Sequence, residues 1–163
     1  MNAPFRTADL CDRFADTHRL QIVEPIFRSF GAHPTFSGPV TTLKVFEDNL
    51  ALRRTLERKV DGRVLVVDGG GSDRCALFGG NITRLACENG WAGIIAYGCL
   101  RDTLEVNDLP IGVRALHPHP LRSHKRGGGE ENILITFAGV NFRTDYYVYA
   151  DQDGIVVSET ELA

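Results

Sequence analysis

Two short segments of the chain carry the residue types that a small carboxylate substrate and a metal ion require. The first is predicted to open a helix and consists of Gly79, Gly80, Asn81 and Ile82. Backbone N–H groups at a helix start have no acceptor within the helix, so they can donate to a carboxylate that the helix dipole also attracts. The second segment is the pair Arg101 and Asp102.

Arg101 and Asp102 supply a fixed cation and a hard oxygen ligand. Arg101 can bind a substrate carboxylate or enolate oxygen through two N–H groups, and Asp102 suits Mg²⁺ or Mn²⁺, which take few protein ligands. The pair follows a predicted strand at 93–97, and the helix start also follows a strand, so the two segments are expected to meet at the carboxyl edge of a sheet. Alternatively, Arg101 and Asp102 form a helix-start salt bridge and the glycine run binds nothing.

Three other acidic residues are candidates for supporting roles. Glu105 lies three positions beyond Asp102, on the same face of a helix that starts there, and could hold a water of the metal. Glu47 and Asp48 are further candidates, although the sequence assigns them no geometry. Each of the three carboxylates could equally serve a structural role.

Two further segments contain residue types that can bind ligands. His117 and His119 would lie on one side of an extended stretch, near His124, which is one arrangement for an alternative metal site. The basic run 122–126 is either a solvated loop or a contact for an acidic partner or a subunit edge. The loop 68–72, with three consecutive glycines, is either an anion-binding nest or a tight turn, and it matches neither the P-loop nor the dinucleotide-binding pattern.

The composition is that of an ordinary globular domain. With 163 residues, a net charge of −3 and a pI near 5.9, the chain fits a single domain at 1–163 and gives no reason to expect direct nucleic-acid binding. No segment approaches the roughly 18 apolar residues of a membrane span, and no apolar leader opens the chain, so we predict a cytoplasmic location. The cysteines lack metal-site spacing and are expected to be reduced, buried thiols: Cys11, Cys75, Cys87 and Cys99.

The pattern of apolar residues predicts an α/β fold with mixed sheets. Helices are predicted at 7–15, from 48 or 49 to 59, and at 80–89, and buried strands at 39–45, 63–68 and 93–97. The strands 63–68 and 93–97 flank one helix and form a central βαβ unit, whose crossover should be right-handed. The C-terminal third is predicted to hold short strands at 112–116, 132–140, 146–150 and 155–157.

Several longer motifs resemble one known family. They are Val23–Phe27, Phe46–Asn49, Val64–Ser72, Asn89–Gly93 and Tyr149–Asp151 with Asp153–Ile155. Over residues 7–158 the chain resembles the RraA family, regulators of ribonuclease E activity, and the related 4-hydroxy-4-methyl-2-oxoglutarate aldolases. The resemblance implies a swivelling β/β/α domain of the phosphohistidine-domain type, a ring-shaped homotrimer, and a site between neighbouring subunits.

The aldolase branch of this family implies a divalent-metal enzyme that cleaves a 2-oxo acid to pyruvate and decarboxylates oxaloacetate. By resemblance, Gly79–Ile82 would donate amides to the substrate, Arg101 would bind its carboxylate or enolate oxygen, and Asp102 would hold Mg²⁺ or Mn²⁺. Arg101 and Asp102 would then be the catalytic residues. The alternative is a non-catalytic regulator that binds and inhibits ribonuclease E. A methyltransferase activity, also attributed to family members, is rejected because no nucleoside-binding motif is present.

The chain departs from the aldolase pattern at Gly80. That pattern has an Asp at this position, separated by twenty residues from the Arg-Asp pair, where it orders water on the metal. Its absence predicts activity that is weak or absent, and it predicts that Gly80→Asp raises the rate. The regulator branch does not require the acid that this chain keeps as Asp102. The chain also ends at Ala163, and we expect it to lack acidic groups that longer aldolases offer across the subunit interface.

Overall fold

A curled, nine-stranded mixed sheet organises the protein. The computed structural model describes residues 5–17 and 20–163. Four parallel strands form the middle of the sheet: β3 (Phe36–Lys44), β4 (Val64–Asp68), β6 (Gly93–Tyr97) and β8 (Gly112–Ala115). Antiparallel strands extend it on both sides: β1 (Gln21–Ile22), β2 (Arg28–Phe30), β9 (Glu130–Glu131), β12 (Tyr147–Asp151) and β13 (Gly154–Ser158). The predicted mixed α/β fold is confirmed.

The central βαβ unit consists of β4, helix α3 (Gly80–Glu88) and β6. Strands β4 and β6 pair in parallel from Val64 opposite Gly93 to Asp68 opposite Tyr97, as the apolar runs predict. All five residues of β4 are buried, because both faces of the strand are covered. A short strand, β5 (Ala76–Phe78), precedes α3 and pairs in parallel with β7 (Cys99–Leu100) outside the main sheet.

Three helices cover one face of the sheet: α2 (Leu50–Leu56), α3 and α4 (Thr103–Asp108). Their apolar side chains pack with Leu65 and Val67 of β4 into the larger core, which also contains Leu52 and Ile82. Each fully buried aliphatic side chain contributes roughly 1.5–3 kcal/mol by leaving water. This core fixes the start of α3, where one of the two candidate segments lies.

The opposite face of the sheet is covered by a β-hairpin, β10 (Ile135–Phe137) and β11 (Val140–Phe142). Its apolar residues pack against Val64 and Val66, the alternate positions of β4. The N-terminal helix, α1 (Thr7–Phe14), packs through Leu10 against Tyr149 and Val156 in a third, smaller cluster. None of the helices in the described part of the chain is long and apolar enough to cross a bilayer.

The single strand predicted at 132–140 is wrong. The chain reverses at Ala138 and Gly139, which both have positive φ angles of 52° and 75°, so that Phe137 pairs with Val140. Two consecutive left-handed residues make the turn of a tight hairpin. Alanine rarely takes this conformation, so no turn was predicted at Ala138.

Other predicted boundaries shift by a few residues. Helix α2 begins at Leu50 and ends at Leu56, three residues before the predicted end, and β3 begins at Phe36 rather than at 39. All four cysteines are free thiols. Cys75 and Cys99 are buried as predicted, whereas Cys11 and Cys87 are partly exposed. Burial raises the pKa of all four thiols, which keeps them protonated at neutral pH.

Candidate active site

The two candidate segments meet in space. The backbone N–H of Gly80 donates to Oδ2 of Asp102 over 2.9 Å, and the N–H of Arg101 donates to the carbonyl of Phe78 over 3.0 Å. The parallel pairing of β5 with β7 causes this approach, because β5 leads into α3 and β7 leads into Arg101. The expected convergence of the glycine run with the Arg-Asp pair is therefore a feature of the structure.

Asp102 adopts a backbone conformation that few residues other than glycine take. Its φ and ψ are 59° and 43°, and it precedes the first residue of α4. Its carboxylate makes no hydrogen bond to its own helix and instead accepts one from Gly80 across the site. A non-glycine residue held in this region costs of order 1–3 kcal/mol and is most often found at functional sites.

Glycine is required at positions 79 and 80 because the side chains of Asp102 and Glu105 approach the backbone closely there. A Cβ on Gly79 would lie 2.4 Å from Oδ2 of Asp102, and a Cβ on Gly80 would lie 2.3 Å from Cδ of Glu105. Neither glycine has a positive φ angle, so space rather than backbone freedom dictates the residue type. The absence of a side chain at Gly80 leaves the volume into which Glu105 extends.

The carboxylate of Glu105 fills the place that a side chain at Gly80 would occupy. Both of its oxygens lie within 2.5 Å of the ideal Cβ position, and Arg84 of α3 forms an ion pair with Oε2. Arg84 also donates weakly to the side-chain oxygen of Asn81, at 3.4 Å. The volume that a side chain at position 80 would need is thus occupied by the Glu105 carboxylate.

The substrate side of the site offers unused hydrogen-bond donors. Within the described residues, no acceptor contacts the amides of Asn81 and Ile82 at the start of α3. The Arg101 side chain is partly exposed, and its one hydrogen bond among these residues is to the carbonyl of Pro120, at 3.4 Å. A guanidinium without an acidic partner next to two unpaired amides is an arrangement that binds a carboxylate.

The carboxylates present fit a small divalent cation. Oδ2 of Asp102 accepts the hydrogen bond from Gly80, whereas Oδ1 accepts none from the described residues. Asp102 and Glu105 approach Gly80 from the same helix, α4. The described residues contain no group of three or more histidine, cysteine or acidic side chains that could hold a metal. Mg²⁺ and Mn²⁺ need fewer, because they commonly take one or two carboxylates and complete their coordination with water and substrate.

The glycine loop between β4 and β5 is a tight turn. The amides of Gly69 and Gly71 both donate to the carbonyl of Tyr97, and that of Gly70 donates to the side chain of Asp68. Because these donors point into the protein, the alternative prediction of an anion nest at 68–72 is wrong. The positive φ angles of Gly70 and Gly71, 70° and 69°, are used to turn the chain.

Glu47 and Asp48 serve structural contacts. Glu47 accepts two hydrogen bonds from Arg74 and one from Ser72, which lower the pKa of its carboxyl to about 2. Asp48, 5% exposed, accepts hydrogen bonds from the amides of Leu50 and of the segment 126–127. These bonds lower the pKa of Asp48 against the opposing effect of its burial.

The predicted histidine metal site does not form. Nδ1 of His117 lies 3.3 Å from Sγ of the buried Cys99, whereas Nδ1 of His119 accepts a hydrogen bond from the amide of Leu121. The stretch 117–119 runs beside 99–101 through backbone hydrogen bonds, so each imidazole is used locally. His124 is exposed, and its backbone pairs with Asp48.

Exposed apolar side chains lie on the segments around the site. Leu104 is 87% exposed on α4, between Asp102 and Glu105, and Leu121 is 59% exposed, next to the Pro120 carbonyl that contacts Arg101. Phe46, 60% exposed, lies against the glycine loop and under the guanidinium of Arg74. Exposed apolar side chains mark protein contact surfaces where they form a contiguous patch.

Comparison with known proteins places the chain in a family. A model of the family "RraA-like: Aldolase/RraA" matches residues 7–157. A protein of Methylococcus capsulatus, provisionally named a 4-hydroxy-4-methyl-2-oxoglutarate aldolase, is 67% identical over 97% of this chain and 98% of its own length. A protein of Arabidopsis thaliana with the same provisional name is 51% identical over 99% of both chains.

Solved structures agree with this placement. The RNA-processing inhibitor RraA from Thermus thermophilus has a TM-score of 0.93 and is 42% identical, covering 100% of this chain and 96% of that one. A Geobacillus kaustophilus structure described as an S-adenosylmethionine:2-dimethylmenaquinone methyltransferase has a TM-score of 0.93 and is 47% identical, covering 97% of both chains. The chain therefore belongs to the RraA-like family.

Proposed function

We propose that the protein is a divalent-metal-dependent lyase that cleaves 4-hydroxy-4-methyl-2-oxoglutarate to pyruvate and decarboxylates oxaloacetate. The observation that carries this proposal is the position of Glu105, whose carboxylate occupies the space above Gly80 beside Asp102 and Arg101. The names of the most similar relatives point to the same reaction. The site thus retains both carboxylates of the aldolase pattern, one of them supplied from a different element.

Arg101 and the start of α3 bind and orient the substrate. The Arg101 guanidinium takes the carboxylate next to the 2-oxo group, and the amides of Asn81 and Ile82 donate to the same end of the molecule. These donors are held by backbone hydrogen bonds before the substrate arrives, so little reorganisation is needed when negative charge develops on the 2-oxo oxygen. Binding through fixed donors also aligns the bond to be broken.

Asp102, with Mg²⁺ or Mn²⁺ as its partner, completes the site. Asp102 would hold the ion through Oδ1, and Glu105 would order a water beside it. When bound, such an ion supplies Lewis-acid stabilisation of the enolate that both reactions produce. The hydrogen bond from Gly80 to Oδ2 keeps the Asp102 carboxylate turned toward the site.

Glu105 would transfer protons to and from the substrate through the water that it orders. In oxaloacetate, the C3–C4 bond breaks, CO₂ leaves, and the electron pair remains as the enolate of pyruvate, which then takes a proton at C3. In 4-hydroxy-4-methyl-2-oxoglutarate, the C4 hydroxyl loses its proton, the same bond breaks, and one pyruvate and one pyruvate enolate form. A positioned carboxylate is suited to both transfers, and such general acid–base groups contribute about 10²- to 10⁴-fold to the rate.

The proposal is tested by the rate of pyruvate formation from oxaloacetate with Mg²⁺ or Mn²⁺, corrected for the reaction without protein. Asp102→Asn and Arg101→Lys should each lower kcat/KM by about 10²-fold or more. Asp108→Asn is the matched control, because Asp108 is an exposed carboxylate on the same helix and should leave the rate unchanged. Wild-type turnover no faster than that of Asp102→Asn would contradict the proposal.

A second candidate function is supported by the similarity to the Thermus RNA-processing inhibitor. In this role the protein binds ribonuclease E and inhibits it without chemistry of its own. Inhibition of RNA cleavage by the purified endonuclease would support this function. It should survive Arg101→Ala, because Arg101 belongs to the small-molecule site. Loss of inhibition with Arg101→Ala, or no inhibition by the wild type, would contradict it.

The setting of both functions is a homotrimer in the cytoplasm. The exposed Phe46, Leu104 and Leu121 around the site support a subunit contact there, because covering them would remove large apolar side chains from water. The four free thiols are compatible with a reducing compartment. A methyltransferase activity is not supported, because the amides of the glycine loop 69–71 are used within the protein.

A further inference from the structure

A group of five basic side chains forms one surface on the helical side of the protein. Helix α2 and its end contribute Arg53, Arg54 and Arg58, and the segment that follows Ser123 contributes Lys125 and Arg126. All five residues are exposed. We refer to them as the basic surface. None of them belongs to the site around Arg101.

Contacts between α2 and the segment 124–129 bring the five side chains together. A Cβ on Gly127 would lie 3.3 Å from Leu50, and one on Gly129 would lie 3.1 Å from Ala51. Arg53 and Arg54 follow Leu50 by three and four positions, and Arg54 follows Ala51 by three. Residues at these spacings share a face of a helix, so the arginines lie on the side of α2 that meets the segment.

Asp48 fixes the segment against the start of α2. Its buried carboxylate accepts hydrogen bonds from the amides of Arg126 and Gly127 at 2.7 and 3.0 Å, and from the amide of Leu50 at 3.0 Å. The amide of Asn49 donates to the carbonyl of His124 over 2.9 Å. The basic side chains are therefore displayed by an anchored backbone.

The charge of the basic surface is largely uncompensated. Arg58 forms an ion pair with Glu131, whereas no ion pair of the other four basic side chains occurs among the described residues. The whole protein carries a net charge of −3, so the basic surface is opposite in sign to the chain as a whole. A groove of about 320 Å³ runs beside Arg54 and Arg58, and its lining also includes Glu131, the ion-pair partner of Arg58.

We infer that this basic surface binds an acidic, extended polypeptide segment of a partner protein. Arginine pairs with carboxylates through two parallel N–H groups, and Arg53 and Arg54 lie on the side of α2 that meets the segment of Lys125 and Arg126. A nucleic acid fits less well. Single strands bind by stacking on aromatic side chains, and none of the five residues of the basic surface is aromatic.

Binding of a fluorescently labelled peptide of eight glutamates to the full chain tests this inference by fluorescence anisotropy. We expect saturable binding that weakens with added salt, and that falls by about tenfold or more in Arg53→Glu/Arg54→Glu. The matched control is Arg6→Glu/Arg13→Glu, which makes the same charge change at exposed positions on α1 and should alter affinity by less than about twofold. Circular dichroism should show that both variants remain folded.

The charge-reversed variant provides a second, independent test of the inference. Arg53→Glu/Arg54→Glu should bind a labelled peptide of eight lysines more tightly than the wild type does, because the repulsion has been removed. Absence of binding by the glutamate peptide, or equal weakening in the α1 control, would overturn the inference. Tighter binding of single-stranded oligouridylate than of the glutamate peptide, lost in the same variant, would also overturn it and assign the surface to nucleic acid.

Discussion

Exchanging the carboxylate between Glu105 and position 80 is the sharpest test of how this site is built. An ideal Cβ on Gly80 lies 2.3 Å from Cδ of Glu105, so Gly80→Asp cannot be accommodated until the Glu105 side chain moves. The sequence alone predicts that Gly80→Asp raises the rate. The structure changes that expectation, because a carboxylate already occupies this location and has Arg84 as its partner.

The loss of stability expected for Gly80→Asp alone follows from the repulsion between two carboxylates. Two carboxylates about 4 Å apart repel by about 4 kcal/mol at an effective dielectric constant of 20, and Arg84 can compensate only one of them. We therefore expect Gly80→Asp to lower the free energy of unfolding by about 1–3 kcal/mol and to reduce turnover. Glu105→Ala removes the proton-handling group and should reduce kcat by about 10²- to 10⁴-fold.

The double variant Gly80→Asp/Glu105→Ala should recover what each single variant loses. The new Asp extends from α3 into the volume that Glu105 vacates, so kcat should exceed that of Glu105→Ala by about tenfold or more, which is about 1.4 kcal/mol in activation free energy. Steady-state decarboxylation of oxaloacetate with saturating Mn²⁺ measures all four proteins of the cycle. Gly80→Asn/Glu105→Ala is the matched control, since it fills the same space without a carboxylate.

The reasoning would be refuted if the Asp and Asn double variants turned over at the same rate. Equal rates would mean that a carboxylate above Gly80 does not contribute to the chemistry. A faster Gly80→Asp single variant would refute the steric and electrostatic part, because it would show that both carboxylates can be accommodated productively.

Three further predictions follow from contacts near the site. Glu47 has a folded-state pKa of about 2 against an ordinary value of 4.5, so its contribution to stability is present above pH 4.5 and is lost as the pH falls toward 2. Urea titrations at several pH values should show this loss of stability. Glu47→Gln should reduce the pH dependence of the free energy of unfolding in that window. Gly79→Ala puts a Cβ 2.4 Å from Oδ2 of Asp102, so it should reduce kcat/KM by tenfold or so, and a rate equal to that of the wild type would contradict the close packing. Arg84→Ala removes the ion-pair partner of Glu105 and should lower kcat more than it raises KM, an effect that Arg84→Lys should partly restore; equal effects of both variants would argue against positioning by charge.

The parts of the fold with strong apolar patterns could be predicted from the sequence. Strands β4 and β6 are continuous apolar runs with glycine boundaries, and they pair as neighbours on either side of α3. The hairpin at 135–142 could not be predicted, because its turn depends on Ala138 in a conformation that alanine seldom adopts. The orientation of the glycine amides at 69–71 depends on the carbonyl of Tyr97, a distant residue in sequence.

The candidate site, like the fold, could be predicted from the sequence only in part. The meeting of Gly80 with Asp102 follows from the rule that ligands bind at the carboxyl edge of parallel strands. The role of Glu105 was only one possibility among several acidic residues, because its direction depends on the left-handed backbone of Asp102 at the start of α4. From the sequence, glycine at position 80 indicated the loss of a carboxylate. In the structure, the absence of a side chain at Gly80 leaves room for Glu105.

A crystal structure of the protein grown with Mn²⁺ and oxalate tests the central claim most directly. Oxalate resembles the enolate of pyruvate, and Mn²⁺ is identified by its anomalous scattering. We predict one Mn²⁺ bound by Asp102, with oxalate contacting the Arg101 guanidinium and the amides at the start of α3, and Glu105 hydrogen-bonded to a water on the metal. Mn²⁺ and oxalate bound elsewhere, or absent from Asp102 and Arg101 at saturating concentrations, would contradict the account.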